Sequence, residues 1–140
     1  MIKHNIAPIF GGIFATIASF LGGFDNVIIT LLTFMVADYV TGVLKAIKLK
    51  QLNSQIGVKG IVKKVGYLVV IAVTVKLDAL FGNTSAIRTL VIYSFIANEG
   101  LSIVENASIL EIIVPEKVKN VLEQLKSKET RNAEIPKKND

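Results

Sequence analysis

From Ile6 to Phe24 the chain runs for 19 residues without a charge, and little but a lipid environment accommodates a stretch of that length and polarity. A secretory signal core spans only ~7–15 residues, whereas a membrane-crossing helix needs ~20 predominantly apolar ones. The stretch therefore reads as a retained span. The pattern then repeats. A second segment runs from Val27 to about Leu44 and is broken only by Asp38. A third starts near Gly60 or Ile61, is uncharged from Val65 to Val75 and ends around Lys76–Asp78. A fourth starts near Ala86 or Arg88 and continues to Val104, interrupted by Glu99, with Glu105 just beyond.

Charge occupies what the apolar segments leave. Only 19% of the 140 residues are charged and 51% are hydrophobic, against ~25% charge in a typical soluble domain. Mean hydropathy is +0.56 although Pro115–Asp140 alone carries seven Lys/Arg and five Asp/Glu. Four spans consume ~80 residues, which leaves room for termini, one loop and a tail but not for a soluble catalytic domain. The expected fold is all-α: an integral membrane helical protein with three to four transmembrane helices, four favoured. Residues 1–114 form the membrane domain and 115–140 a charged tail.

Orientation follows from the lysines. Residues 45–64 carry six of them (45, 48, 50, 59, 63 and 64) and no acid, so the positive-inside rule keeps this short loop in the cytoplasm. Asn53, Ser54 and Gly57 suggest a turn between its two basic arms. With four spans, Lys3, the lysine loop and the tail all lie inside, and Arg88 is the unambiguous outside cation. A three-span chain would force the N-terminus or the basic tail outward. In the tail, Val118, Val121, Leu122 and Leu125 recur at helical spacing, which predicts a short interfacial helix, followed from Lys126 by an unstructured polar stretch.

Depth can be read from a helical rise of ~1.5 Å per residue. If Lys45 marks the inner interface, Asp38 lies ~10 Å into the membrane. Glu99 lies ~16 Å from Arg88 at the outer face, so both carboxylates fall in the inner half of a ~30 Å hydrocarbon core. An isolated intramembrane carboxylate costs ~3 kcal/mol on insertion scales, so both should face helices or water. Lys63, Lys64 or Tyr67 are within reach as partners. Thr41 and Gly42 share the Asp38 face, and Glu99, Ser102 and Asn106 form a stripe with Glu105 beside it. These six polar residues (Asp38, Thr41, Glu99, Ser102, Glu105, Asn106) make up the expected membrane polar layer. Gly11, Ala15, Ser19 and Gly23 fall at four-residue steps and present a small-residue face for helix packing, to which Gly42 adds a second position.

Several functions drop out. The chain has no cysteine, which excludes disulfides and thiolate chemistry. His4 is the single histidine and lacks partners for acid–base or metal work. With no Ser/His/Asp set and no phosphate loop, neither an enzyme nor a cofactor is expected. The lysine loop lacks arginine and stacking aromatics, and nucleic acid is not an expected partner.

Three runs occur in a particular order: LTFMVADYVTGVLKA from Leu32 to Ala46, GVKGIVKKV from Gly57 to Val65, and NEGLSIVEN from Asn98 to Asn106. Together they resemble the phage lysis and toxin-secretion holin family of Gram-positive bacteria and their phages, over about Leu32–Pro115. The resemblance implies a protein of the bacterial cytoplasmic membrane that self-assembles among membrane lipids and opens lesions, releasing an endolysin or a toxin. It supplies no catalytic residues. A small transporter or ion channel using Asp38 and Glu99, or a non-conducting scaffold whose lysines bind anionic lipid, remain alternatives on the residues alone.

Overall fold

Among the described residues, the chain consists of helices and their connections. The computed structural model describes residues 6–133, with backbone alone over 129–133. Its helices are α1 (Ala7–Phe20), α2 (Asn26–Lys48), α3 (Ser54–Leu80), α4 (Ala86–Ile109) and α5 (Glu116–Ala133). By length and composition, α2 and α4 are long and apolar enough to cross a membrane.

Each long helix has a local reason to start where it does. Asp25 caps α2 by accepting from Ile28 N at 3.0 Å, and Lys45 and Lys48 lie in the last turn, where the helix dipole favours cations. Asn53 caps α3 by accepting from Ile56 N at 2.9 Å. That cap moves the start of the third segment from the expected Gly60–Ile61 back to Ser54, and the expected loop of residues 45–64 contracts to 49–53. Gly57 and Gly60 do not break the helix, because they form the shallow floor on which Tyr39 of α2 lies. For α4 the cap comes from another element: Asp78, near the end of α3, accepts from Ile87 N at 3.0 Å and Arg88 N at 2.8 Å.

Helices α2, α3 and α4 form the bundle. The starts of α2 and α4 meet through Asp25 and Arg88, and their ends meet where Lys48 Nζ donates to Ile109 O at 2.8 Å. These two helices therefore run parallel, with α3 antiparallel between them in sequence. Ile28, Leu31 and Met35 of α2, at helical i, i+3, i+7 spacing, pack with Ile71 of α3 and Ile92 and Ile96 of α4. The outward sides of α2 and α3 remain apolar: Val36, Val40, Val62, Val69 and Val73 are all exposed. In water such a surface would aggregate, and facing lipid it is matched to its solvent.

The first apolar segment is shorter as a helix than its 19 uncharged residues suggested. α1 has 14 residues, or ~21 Å, and none of its side chains is buried. The helix stops because Gly22 (φ 77°) and Gly23 (φ 99°) turn into the left-handed region. Gly23 therefore leaves the face formed by Gly11, Ala15 and Ser19, all three of which are exposed. Phe24 folds back to stack on Phe14, with ring centroids 4.6 Å apart.

The tail also differs. α5 continues to Ala133, past Lys126, where an unstructured stretch was expected, and it doubles back along α4 so that Leu122 is buried and Leu125 packs on the core. Residues 134–140 and His4 lie outside the described residues.

Arg88, expected as a cation on the outer side, is buried between helices: Nε donates to Leu21 O at 2.6 Å, Nη1 to Asp25 Oδ2 at 2.7 Å and Nη2 to Gly23 O at 3.2 Å. A buried guanidinium needs this set of acceptors to offset its lost hydration, and the 21–25 turn supplies it. That Arg88 hydrogen bond is the main reason the half-exposed Asp25 carboxyl is held below its ordinary value of 3.8. The Asp25 contribution to stability is accordingly present above about pH 4 and is lost as pH falls through the depressed value. At Gly22 a Cβ would stand 2.8 Å from Arg88 Nε in a left-handed backbone. Gly22→Ala should therefore cost at least the ~1–2 kcal/mol of the left-handed conformation, read as a lower thermal midpoint in detergent. Gly11→Ala, inside α1 where a Cβ meets open space, should not lower the midpoint, since Ala favours the helix over Gly.

Candidate functional site: an ion layer among three helices

Halfway along the bundle, each of its helices contributes one charged side chain to a single cluster. Lys64 Nζ of α3 donates to Asp38 Oδ2 of α2 at 2.7 Å and to Glu99 Oε2 of α4 at 2.5 Å. Glu99 has no exposed surface, while the side chains of Asp38 and Lys64 retain 15% and 13%. Lys63 Nζ lies 3.8 Å from Glu99 Oε1, an oxygen without a hydrogen-bond donor among the described residues. One ammonium is thus shared by two carboxylates, with a second ammonium at the margin.

A neutral hydrogen-bond shelf lies beside the ions. Asn106 Nδ2 of α4 donates to Thr41 Oγ1 at 3.1 Å and more loosely to Asp38 Oδ1 at 3.4 Å. Thr41 Oγ1 in turn donates back to Ala37 O at 2.9 Å. Gly42 lies beside the shelf, where a Cβ would sit 3.8 Å from Asn106 Nδ2, an ordinary contact. Ser102, one turn from Glu99, faces Asp38. A cavity of about 180 Å³ opens next to this shelf, with Asp38, Tyr39, Gly42, Lys64 and Asn106 in its wall.

Five of the six expected polar residues thus come together: Asp38, Thr41, Glu99, Ser102 and Asn106. Glu105 does not. It is exposed at the edge of the stripe, beside a surface groove with Ser108 and Lys119, because residue 105 is turned ~100° from the buried Asn106. Tyr67 also stays out of the layer. It stacks on Phe95 at 3.9 Å between centroids, with Lys63 above its ring. The sequence reading missed Arg88 and Asp78, and its available signal was weak: two single charges flanking a turn, each of which looked like an interfacial residue.

Chemically, the layer joins helices. Lys64 already occupies the space between the carboxylates that a substrate cation would take, and no third acid, histidine or cysteine joins them among the described residues. Removing one member of a buried ion set leaves the others uncompensated, at ~3–5 kcal/mol. Lys64→Leu should therefore destabilise the bundle by about that much in an SDS-unfolding titration from mixed micelles. Lys63→Leu, at a side chain 55% exposed, should cost under ~1 kcal/mol.

Comparison with known proteins places the chain in a family. The model of the bacteriophage holin family matches residues 15–127. An uncharacterized 14.9 kDa protein of Clostridium perfringens is 50% identical over 108 residues, 76% of this chain and 82% of the relative. An uncharacterized Listeria monocytogenes protein is 37% identical over 113 residues, 81% and 79% of the two chains. A protein named as a probable holin, from Bacillus phage phi105, is 30% identical over 104 residues, 74% of this chain and 77% of that one. No solved structure matches the chain. With its family match extending from α1 into α5, across the whole ion layer, the chain belongs to the bacteriophage holin family.

Proposed function

We propose that the protein is a holin that assembles with copies of itself in the bacterial cytoplasmic membrane and opens lesions through which an endolysin, or a toxin, leaves the cell. The observation that carries this reading is the ion layer at mid-height of a bundle whose outer surface is apolar. Such a bundle inserts as a unit, because Asp38, Lys64 and Glu99 compensate one another. A transporter of small cations fits less well, since Lys64 fills the place between the acids.

In this reading α2, α3 and α4 cross the membrane, with residues 49–53 in the cytoplasm and the 81–85 turn outside, and α1 makes the fourth crossing that returns the N-terminus to the cytoplasm. At ~21 Å, α1 is short for a ~30 Å core, and a short span thins the bilayer around it. Its face of Gly11, Ala15 and Ser19 has no partner within the chain among the described residues, and it is available for close approach between copies. A single cysteine at Asn83 should react with an impermeant thiol reagent in intact cells, whereas one at Asn53 should react only after the membrane is opened. Labelling at Asn53 in intact cells would overturn the topology.

Lesion formation has its own test. Induced expression should stop growth and collapse the membrane potential after a delay, and lysis should follow rapidly when a cytoplasmic peptidoglycan hydrolase is co-expressed. Ala15→Leu, which fills the small-residue face, should lengthen the delay or abolish the collapse. An intact potential with unimpaired growth, despite confirmed insertion at high level, excludes the holin reading.

A further inference from the structure

The seat of α5 lies at a depth where a charged helix cannot meet lipid. Gly100, nine residues from the end of α4, is ~14 Å from that end, and Leu122 inserts over it. A Cβ at Gly100 would overlap Leu122 Cδ2 and come within 3.0 Å of Phe34 Cε1 of α2. Leu122 is only 5% exposed, and Leu125, farther along α5, packs on the bundle core. α5 is thus fitted to α2 and α4 along the span itself and does not lie at its cytoplasmic end. Its opposite side carries Lys117, Asn120, Glu123, Gln124, Ser127 and Lys128, all exposed. Each Lys at the centre of a bilayer costs ~2.5–3.5 kcal/mol on insertion scales. Docked α5 and a lipid-covered α4 therefore exclude one another, and the docked arrangement requires water against the polar side.

We infer that α5 is the wetted wall of the lesion. While lipid surrounds the bundle, α5 stays out of its seat, on the cytoplasmic surface. When copies assemble and water reaches α4, α5 swings up, Leu122 enters the gap over Gly100, and the side bearing Lys117, Glu123 and Lys128 faces the lumen. This inference rests on the proposed lesion-forming function and assigns the lumen lining to the last helix, leaving the ion layer to hold the bundle together.

The experiment exploits the absence of cysteine in the native chain. Full-length protein with a single cysteine, Leu122→Cys or the exposed neighbour Val121→Cys as reference, is reconstituted in vesicles of phosphatidylglycerol and phosphatidylethanolamine. Leakage of an entrapped dye is followed together with modification by a charged maleimide. In sealed vesicles the two cysteines should react within about twofold of each other. After leakage begins, Cys at 122 should slow by tenfold or more while Cys at 121 keeps its rate. Protection of residue 122 in sealed vesicles, or equal reactivity before and after leakage, overturns the inference. Leu122→Asp, which inserts a charge into the seat without altering a span, should leave insertion intact and reduce leakage at least fivefold; unchanged leakage also overturns it. Vesicles that never leak at any protein density reject the lesion reading itself, and protection at 122 in those vesicles rejects the α5 assignment separately.

Discussion

One ammonium group holds the bundle together at its centre. Lys64 is bonded to Asp38 on one neighbouring helix and Glu99 on the other, so α2, α3 and α4 lose a shared partner if any of them moves away. In lipid this linkage is stronger in consequence than in water, because apolar side chains gain little from touching one another when the surroundings are equally apolar. What remains to join helices is close packing, hydrogen bonding and compensated charge, and the layer supplies the last two: Asn106 and Thr41 bond across it, and the ions require each other.

The remainder of the structure supports that layer from its two ends. At one end, Arg88 gathers Leu21, Gly23 and Asp25 around its guanidinium while Asp78 caps the helix that bears it. At the other, Lys48 closes α2 onto the last carbonyl of α4 and pairs with Glu111 at 3.2 Å. These contacts set the register of α2 against α4, and register brings residues 38, 64 and 99 to one height. α1 and α5 lie outside this frame. They attach through turns at opposite ends.

Much of this was legible in the residues alone, and the exceptions have physical causes. Asp38 and Glu99 stood out because a carboxylate in an apolar run needs a partner, and a fixed rise per residue placed both at the same depth. Thr41, Ser102 and Asn106 followed from helical spacing. Glu105 shared the stripe by proximity in sequence, but periodicity alone does not say which edge of a broad stripe faces inward. The start of α3 was obscured because Gly57 and Gly60 look like breakers until Tyr39 is seen lying over them. The burial of Arg88 was missed because its acceptors are mostly backbone carbonyls, which no sequence pattern marks, and its acidic partner is 63 residues away. The length of α5 was hidden by its charge, which suggested solvation when the apolar side of the helix had a specific seat at Gly100.

The measurement that addresses the central linkage most directly is a double-mutant cycle between Lys64 and Glu99, using Lys64→Met, Glu99→Gln and the pair, each unfolded with SDS from mixed micelles. A shared ammonium predicts that the double substitution costs less than the sum of the two single ones, with a coupling of about 2–3 kcal/mol, the upper part of the range for residues in one network. Additive costs, with coupling within ~0.5 kcal/mol of zero as for independent sites, would show that the bundle does not depend on the ion layer and would contradict this account.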